Sequence, residues 1–277
     1  MTGLVLEGGA MRGMFTAGVL DVFLDNGIRF DCIAGVSAGA LFGVNLLSEQ
    51  RGRALRYNKR YNGDKNYMGI RPLIKEGNFF STEYAYDRVP KKLDPFDDEK
   101  YKSSGVPFYA VVTNVESGKP EYIKINSVFE QMDTLRASGS MPLVSKPVEI
   151  DGKLYLDGGI SDSIPFEWLS KQGCEKLVVI LTRDLDYRKK PMSRAIKLYG
   201  LKYPKIAERM LNRHRQYNRS VEKLRKWEKE GRAFVIRPSR TPEISRIEKD
   251  PDKLQSVYDL GISDGNAVIE ALKEYLK

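Results

Sequence analysis

Gly35-Val36-Ser37-Ala38-Gly39 follows the short apolar run Phe30-Asp31-Cys32-Ile33-Ala34 and precedes ten small and apolar residues, Ala38 to Leu47. The run before it reads as a buried strand and the one after it as a helix. Gly-x-Ser-x-Gly between a strand and a helix is the pattern of a nucleophile elbow, which exposes a serine on a tight turn. Gly35 and Gly39 suit a turn in which backbone approaches backbone. The usual partner of such a serine is a histidine oriented by an acid. The chain contains one histidine, His214, far away in a strongly basic stretch. Ser37 therefore needs a different base if it is a nucleophile.

Outward from this elbow, two further segments carry chemistry. Gly8-Gly9-Ala10-Met11-Arg12-Gly13 follows Leu4-Val5-Leu6 and opens the periodic run Phe15, Val19, Leu20, Phe23, Leu24. Strand, glycine turn and helix bring backbone N–H groups together at a helix start, where they can hold an anion. The spacing is not that of a dinucleotide fingerprint, because the position two after Gly8 is alanine. Lys153-Leu154-Tyr155-Leu156-Asp157-Gly158-Gly159 places a carboxylate at the end of a short strand, on a turn. Taken singly, each motif has a plain reading as a turn or a close strand–helix connection. Their order and context make them specific.

This order resembles the patatin-like phospholipases, and the resemblance extends to Ala110–Gly118 and to Ala137-Ser138-Gly139-Ser140-Met141-Pro142. It covers roughly residues 3 to 182. It implies acyl hydrolysis by a serine–aspartate dyad, with Ser37 as nucleophile and Asp157 as proton acceptor. The Gly8–Gly13 loop would be the oxyanion hole, with Gly158 and Gly159 forming the turn after the base. The resemblance leads one to expect aspartate and a third glycine where this chain has Glu7 and Ala10. Glu7 keeps the charge, and Ala10 keeps its N–H donor while narrowing the backbone angles open to it. Arg12 fits two roles, pairing with an acid to fix the loop, which is the favoured one, or holding a substrate phosphate.

Strands alternating with helices imply an α/β fold, a mainly parallel sheet with helices on both faces. Residues 1–182 are expected to form the catalytic domain, with 61–106 as a cap or loop region over the site. Strands are expected at 108–115, 121–125 and 177–181, with helices at 127–137 and 164–171. Residues 183–277 read as a mostly helical, basic extension. A helix is expected to start at Pro204, a strand at 234–236, and a last helix over 254–276. Residues 188–237 hold 17 Lys or Arg against 4 Glu, a net of +13 by subtraction in a chain whose total is +9. Within that stretch Ile196, Tyr199, Tyr203, Ile206, Met210, Tyr217, Leu224 and Trp227 recur at helical steps, an apolar stripe beside a basic face. The stripe reads equally as core packing and as part of a surface for anionic lipid, with Arg213, Arg215, Arg219 and Lys223 facing solvent. A nucleic-acid footprint ranks last, since no recognition motif accompanies the charge.

Hydrophobic content of 41% beside 30% charged residues describes a soluble globular chain. There is no apolar run long enough to span a membrane. The first strand begins within three residues of Met1, leaving no room for a signal peptide. The expected location is the reduced interior of the cell, with peripheral attachment to the inner membrane surface. Cys32, Cys174 and a lone histidine supply no metal-ligand cluster, and no cofactor is expected. The expected substrate is a lipid ester, with phospholipid first. An acyltransferase and a catalytically silent lipid-binding protein are the alternatives. Head group, acyl length and oligomeric state are not encoded legibly.

Overall fold

The computed structural model describes residues 1–193 and 196–277. It opens with β1 (Thr2–Leu6), α1 (Gly13–Asp25), β2 (Cys32–Val36) and α2 (Ala38–Leu47). Next come α3 (Arg53–Tyr61), α4 (Ile70–Glu76), a π-helical segment at Tyr84–Leu93, and α5 (Asp98–Ser103). The hairpin of β3 (Phe108–Asn114) and β4 (Pro120–Ile125) leads through α6 (Met132–Ser138) to β5 (Val148–Ile150) and β6 (Lys153–Asp157). α7 (Phe166–Lys171) and β7 (Lys176–Ile180) follow. The chain ends with α8 (Ile196–Tyr199), α9 (Pro204–Lys229), β8 (Ala233–Ile236) and α10 (Pro251–Leu276).

Among the described residues the strands form one sheet, ordered β5-β6-β3-β2-β1-β7-β8, with β4 beside β3. The pairs β1–β2, β1–β7, β2–β3 and β7–β8 are parallel, and β4, β5 and β6 join antiparallel. This is the mainly parallel α/β sheet that the alternation of strands and helices predicts. Side chains of a strand alternate between faces, which explains why the central strands are apolar throughout. Leu4, Leu6, Ile33, Val178 and Ile180 meet α1, α2 and α10 on one face. Val5, Cys32, Ala34, Leu177 and Val179 meet Phe166 and Leu169 of α7 and Tyr217, Leu224 and Trp227 of α9 on the other.

The register of β3 positions the site. Ile33–Val36 of β2 pair with Phe108–Val111, and β2 stops there. Val112, Thr113 and Asn114 then pair with Asp157, Leu156 and Tyr155 of β6. Because β4 occupies the other edge of β3 over residues 108–113, β6 continues the edge that β2 leaves. The C-terminal ends of β2 and β6 therefore abut.

One predicted helix is shorter than expected. Residues 128–131 form turns, and α6 begins only at Met132. The Ser127 hydroxyl donates to Asp98 (2.7 Å) and accepts the Glu130 N–H (3.2 Å). The Gln131 side-chain oxygen takes the Asn126 N–H (2.6 Å). These side-chain bonds satisfy the backbone locally and compete with helical pairing.

Candidate active site

Ser37 ends β2 and starts α2 with φ 54° and ψ −122°. A non-glycine residue held in that region costs on the order of 1–3 kcal/mol, so its surroundings must impose it. The Ser37 N–H donates to the Ser138 hydroxyl (2.9 Å), which donates to the Val111 carbonyl (2.7 Å). The Ser37 carbonyl accepts from Ala40 (2.9 Å) and Leu41 (3.0 Å), opening α2. Gly39 presses against the end of β1, where a Cβ would lie 2.4 Å from the Leu6 carbonyl oxygen. Gly35 lies against the backbone of Ala40, and Gly13 against Ala38 and Phe42.

Asp157, the last residue of β6, is 2% exposed. Its N–H donates to the Ser140 carbonyl (2.9 Å), and its Oδ1 accepts the Gly159 N–H (2.7 Å). Gly158 admits no side chain, since a Cβ would lie 2.2 Å from the Val111 carbonyl oxygen. Burial pushes the Asp157 carboxyl above the usual aspartate range. The Arg213 charge, donation from the Ser37 hydroxyl and the Gly159 N–H, and the Lys189 charge offset part of that rise.

The loop Gly8-Gly9-Ala10 lies over the serine, with a Gly8 Cβ position 3.0 Å from the Ser37 Cβ. Among the described residues, no protein acceptor takes the N–H of Gly8 or Gly9, whereas Met11 donates to the Arg246 carbonyl (3.4 Å) and Arg12 to that of Gly9 (3.2 Å). Ala10 adopts φ 49°, the left-handed region in which glycine is unstrained. The buried Glu7 carboxylate anchors the loop. It accepts from the Thr182 N–H (2.6 Å) and hydroxyl (3.1 Å) beyond β7, and from the Tyr217 hydroxyl (2.6 Å) of α9.

Two hollows meet at Ser37. One is an apolar cavity of about 460 Å³ lined by residues such as Leu41, Phe79, Tyr86, Val89, Leu135 and Met210. The other is a polar chamber of about 60 Å³ that holds Gly8, Gly9, Ala10, Asp157 and Gly159. Ser37, Ala10, Met141 and Arg246 line both. A more open hollow of about 680 Å³ between α7 and α9 touches neither Ser37 nor Asp157.

The structure brings Ser37, Asp157, the glycine loop and Arg12 together, and leaves His214 outside both hollows. Arg12 has no carboxylate within ion-pair distance among the described residues, and its Nε is buried without a hydrogen-bond partner. Arg213 corrects an expectation. It does not face solvent with Arg215, Arg219 and Lys223 but lines the polar chamber, its Nε sealed and unpartnered. Sequence reading places none of Ser138, Arg183, Lys189, Tyr217 or Arg246 beside Ser37. The spacing held a signal for Arg213, which lies three residues after Met210 and four before Tyr217, on the stripe itself.

A sequence model of the patatin-like phospholipase family matches residues 4–169, and one described as a domain of unknown function matches residues 203–277. The uncharacterized protein YjjU of Escherichia coli K12 is 33% identical over 65% of this chain and 51% of its own length. The lysophospholipase NTE1 of Saccharomyces cerevisiae is 25% identical over 98% of this chain and 16% of its own length. The neuropathy target esterase sws of Drosophila melanogaster is 26% identical over 64% of this chain and 12% of its own. The chain thus spans about half the length of YjjU and about a sixth of the yeast protein. Among solved structures, VipD from Legionella pneumophila aligns with a TM-score of 0.43 at 12% identity, covering 96% of this chain and 67% of that one.

Proposed function

The chain belongs to the patatin-like phospholipase family, and on that premise we propose that it is a lipid acyl hydrolase using Ser37 as nucleophile and Asp157 as base. The observation that carries this reading is the position of Ser37 on the wall shared by an apolar cavity and the polar chamber that holds Asp157. At about 460 Å³ the cavity is of the size that binds small ligands, and its lining suits an acyl chain.

Ser37 Oγ attacks the ester carbonyl as Asp157 takes its proton. The N–H groups of Gly8, Gly9 and Ala10 hold the tetrahedral oxyanion, acting as fixed donors where charge develops. The intermediate collapses, the leaving alcohol takes the proton from Asp157, and the acyl group stays on Ser37. Water then attacks the acyl carbonyl, again giving its proton to Asp157, and the fatty acid leaves as Ser37 Oγ recovers a proton. The elevated pKa of Asp157 supports this role, because a buried carboxylate is a stronger base than one in water.

The lysophospholipase named among the relatives makes a single-chain phospholipid the first substrate to try. Exposed Leu143, Val144 and Ile247 line the apolar cavity and suit contact with a lipid surface. Outward cations on α9 are proposed to add peripheral attachment to anionic membranes. Among the described residues no helix is long and apolar enough to cross a membrane. The test is release of fatty acid from a 1-acyl lysophospholipid by the full chain. Hydrolysis that disappears in Ser37→Ala supports the reading, and equal hydrolysis by both proteins contradicts it.

A further inference from the structure

We propose that the polar chamber beside Ser37 is a cradle for a doubly charged phosphate. The substrates are then lipid esters with a phosphomonoester head group, and residues beyond the family match select them. This rests on the acyl-hydrolase reading of Ser37.

Five cationic side chains, Arg12, Arg183, Lys189, Arg213 and Arg246, line the chamber against two carboxylates, Glu7 and Asp157. Among the described residues none of the five has a carboxylate within ion-pair distance. Their neighbours on the same basic stretch do: Arg188 and Arg225 pair with Glu222, Lys223 with Glu167, and Arg237 with Glu228. Glu7 is already engaged by Thr182 and Tyr217, and Asp157 by Gly159. The buried Nε donors of Arg12 and Arg213 have no acceptor. Burial and the neighbouring Arg183 bring Arg12 down to about 10, and burial with Arg213 brings Lys189 down to about 7. Five cations gathered around two carboxylates leave an excess of like charge, and a bound dianion offsets it while supplying acceptors for the sealed Nε donors.

Size and sign both narrow the ligand. A chamber of about 60 Å³ has room for a tetrahedral oxyanion, and the surrounding cations repel choline and ethanolamine. Ser37 and Ala10 lie on the wall shared with the apolar cavity, so a substrate with its acyl chain there and its phosphate in the chamber presents its ester bond to Ser37. Arg183, Lys189, Arg213 and Arg246 all lie after residue 169, where the family match ends. Lys189 is fixed by reciprocal backbone bonds with the Asn218 side chain of α9 (2.9 and 3.1 Å), and its Nζ lies 4.3 Å from the Tyr217 ring centre.

The test has two arms. In Ser37→Ala protein, which keeps the chamber, calorimetry measures binding of glycerol 3-phosphate, inorganic phosphate and glycerophosphocholine. Glycerol 3-phosphate should bind at least about tenfold more tightly than glycerophosphocholine, and adding Lys189→Met should weaken it about tenfold. Lys189→Arg should retain binding and remove the loss of affinity that the Ser37→Ala protein shows above pH ~7, where Lys189 facing Arg12, Arg213, Arg246 and Glu7 gives up its proton. In the second arm, wild-type kcat/KM is compared on 1-acylglycerol 3-phosphate, 1-acylglycerophosphocholine and monoacylglycerol of one chain length. The phosphomonoester should lead by about tenfold or more, chiefly through KM. Equal turnover of all three without phosphate binding overturns the cradle and leaves the acyl-hydrolase reading standing. Glycerol 3-phosphate binding with hydrolysis of none of them overturns the acyl-hydrolase reading and leaves the cradle. Inorganic phosphate bound as tightly as glycerol 3-phosphate, with turnover blind to head group, makes this a free-phosphate site and overturns its assignment to substrate.

Discussion

Val36 and Asp157 lie against consecutive residues of β3, Val111 and Val112, on the same edge of that strand. The parallel strand that ends at the elbow and the antiparallel strand that ends at the carboxylate are thus joined end to end by one ruler. Ser37, the next residue after Val36, is brought to Asp157 across 120 residues of sequence by sheet register alone.

The Ser138 hydroxyl clamps this arrangement, accepting from the Ser37 N–H and donating to the Val111 carbonyl. Ser138→Ala leaves both groups unpaired inside the protein, which costs about 1–3 kcal/mol per buried group. The expected outcome is a lower melting temperature and a fall in kcat of about tenfold or more, as the strained serine loses its restraint. Unchanged kcat and melting temperature would remove Ser138 from the account.

Gly158→Ala places a Cβ 2.2 Å from the Val111 carbonyl oxygen, so β6 must shift from β3. Loss of activity together with a destabilisation of about 2 kcal/mol or more is expected, measured by denaturant unfolding. A variant as stable and active as wild type would show that the β3–β6 register does not place the carboxylate.

As the proposed base, Asp157 should set the acid limb of the rate profile. Burial raises its pKa above the ~3.9 of free aspartate, and only the ionised form accepts a proton. kcat/KM should therefore begin to fall at a higher pH than a free aspartate would set. The sign for stability is opposite to that of a paired carboxylate. A raised carboxyl pKa gives stability that is present below the unfolded value and lost as pH rises through the folded one. Asp157→Asn should be inactive yet gain in melting temperature relative to wild type between pH 4 and pH 8. A relative loss over that range would contradict the assigned burial cost.

Arg215 and Arg219 are exposed on α9, as is Lys223, which pairs with Glu167. Changing all three to glutamine should weaken sedimentation with anionic vesicles at low salt by about a hundredfold, at roughly 1 kcal/mol per basic residue near such a surface. Hydrolysis of a soluble short-chain ester should persist, because none of the three lines the Ser37 hollows. Equal sedimentation of both proteins would return this face to solvent.

Much of the fold was legible because its signals are local. Alternating apolar runs and glycine turns marked β1, β2, β6 and β7, and Pro204 marked the start of α9. Ser37 and Asp157 stood out as candidates through short motifs that keep their strand-to-turn context. Lys189, Arg183 and Arg246 were invisible, because their meeting depends on how the chain after β7 packs over the site. Arg213 was misread for a different reason. Its charge suggests solvent, while its place between Met210 and Tyr217 puts it on the inward stripe, and the polar chamber lets a cation point inward.

The central claim is that Ser37 is activated by Asp157 and not by a histidine. The most direct measurement is active-site labelling with a fluorophosphonate, run in parallel on wild type, Ser37→Ala, Asp157→Asn and His214→Ala at pH 7–8. The account predicts covalent labelling of wild type and His214→Ala at comparable rates, none of Ser37→Ala, and a loss of about a thousandfold or more in Asp157→Asn, since nucleophile and base act as a unit. Labelling that survives in Asp157→Asn and vanishes in His214→Ala would contradict it.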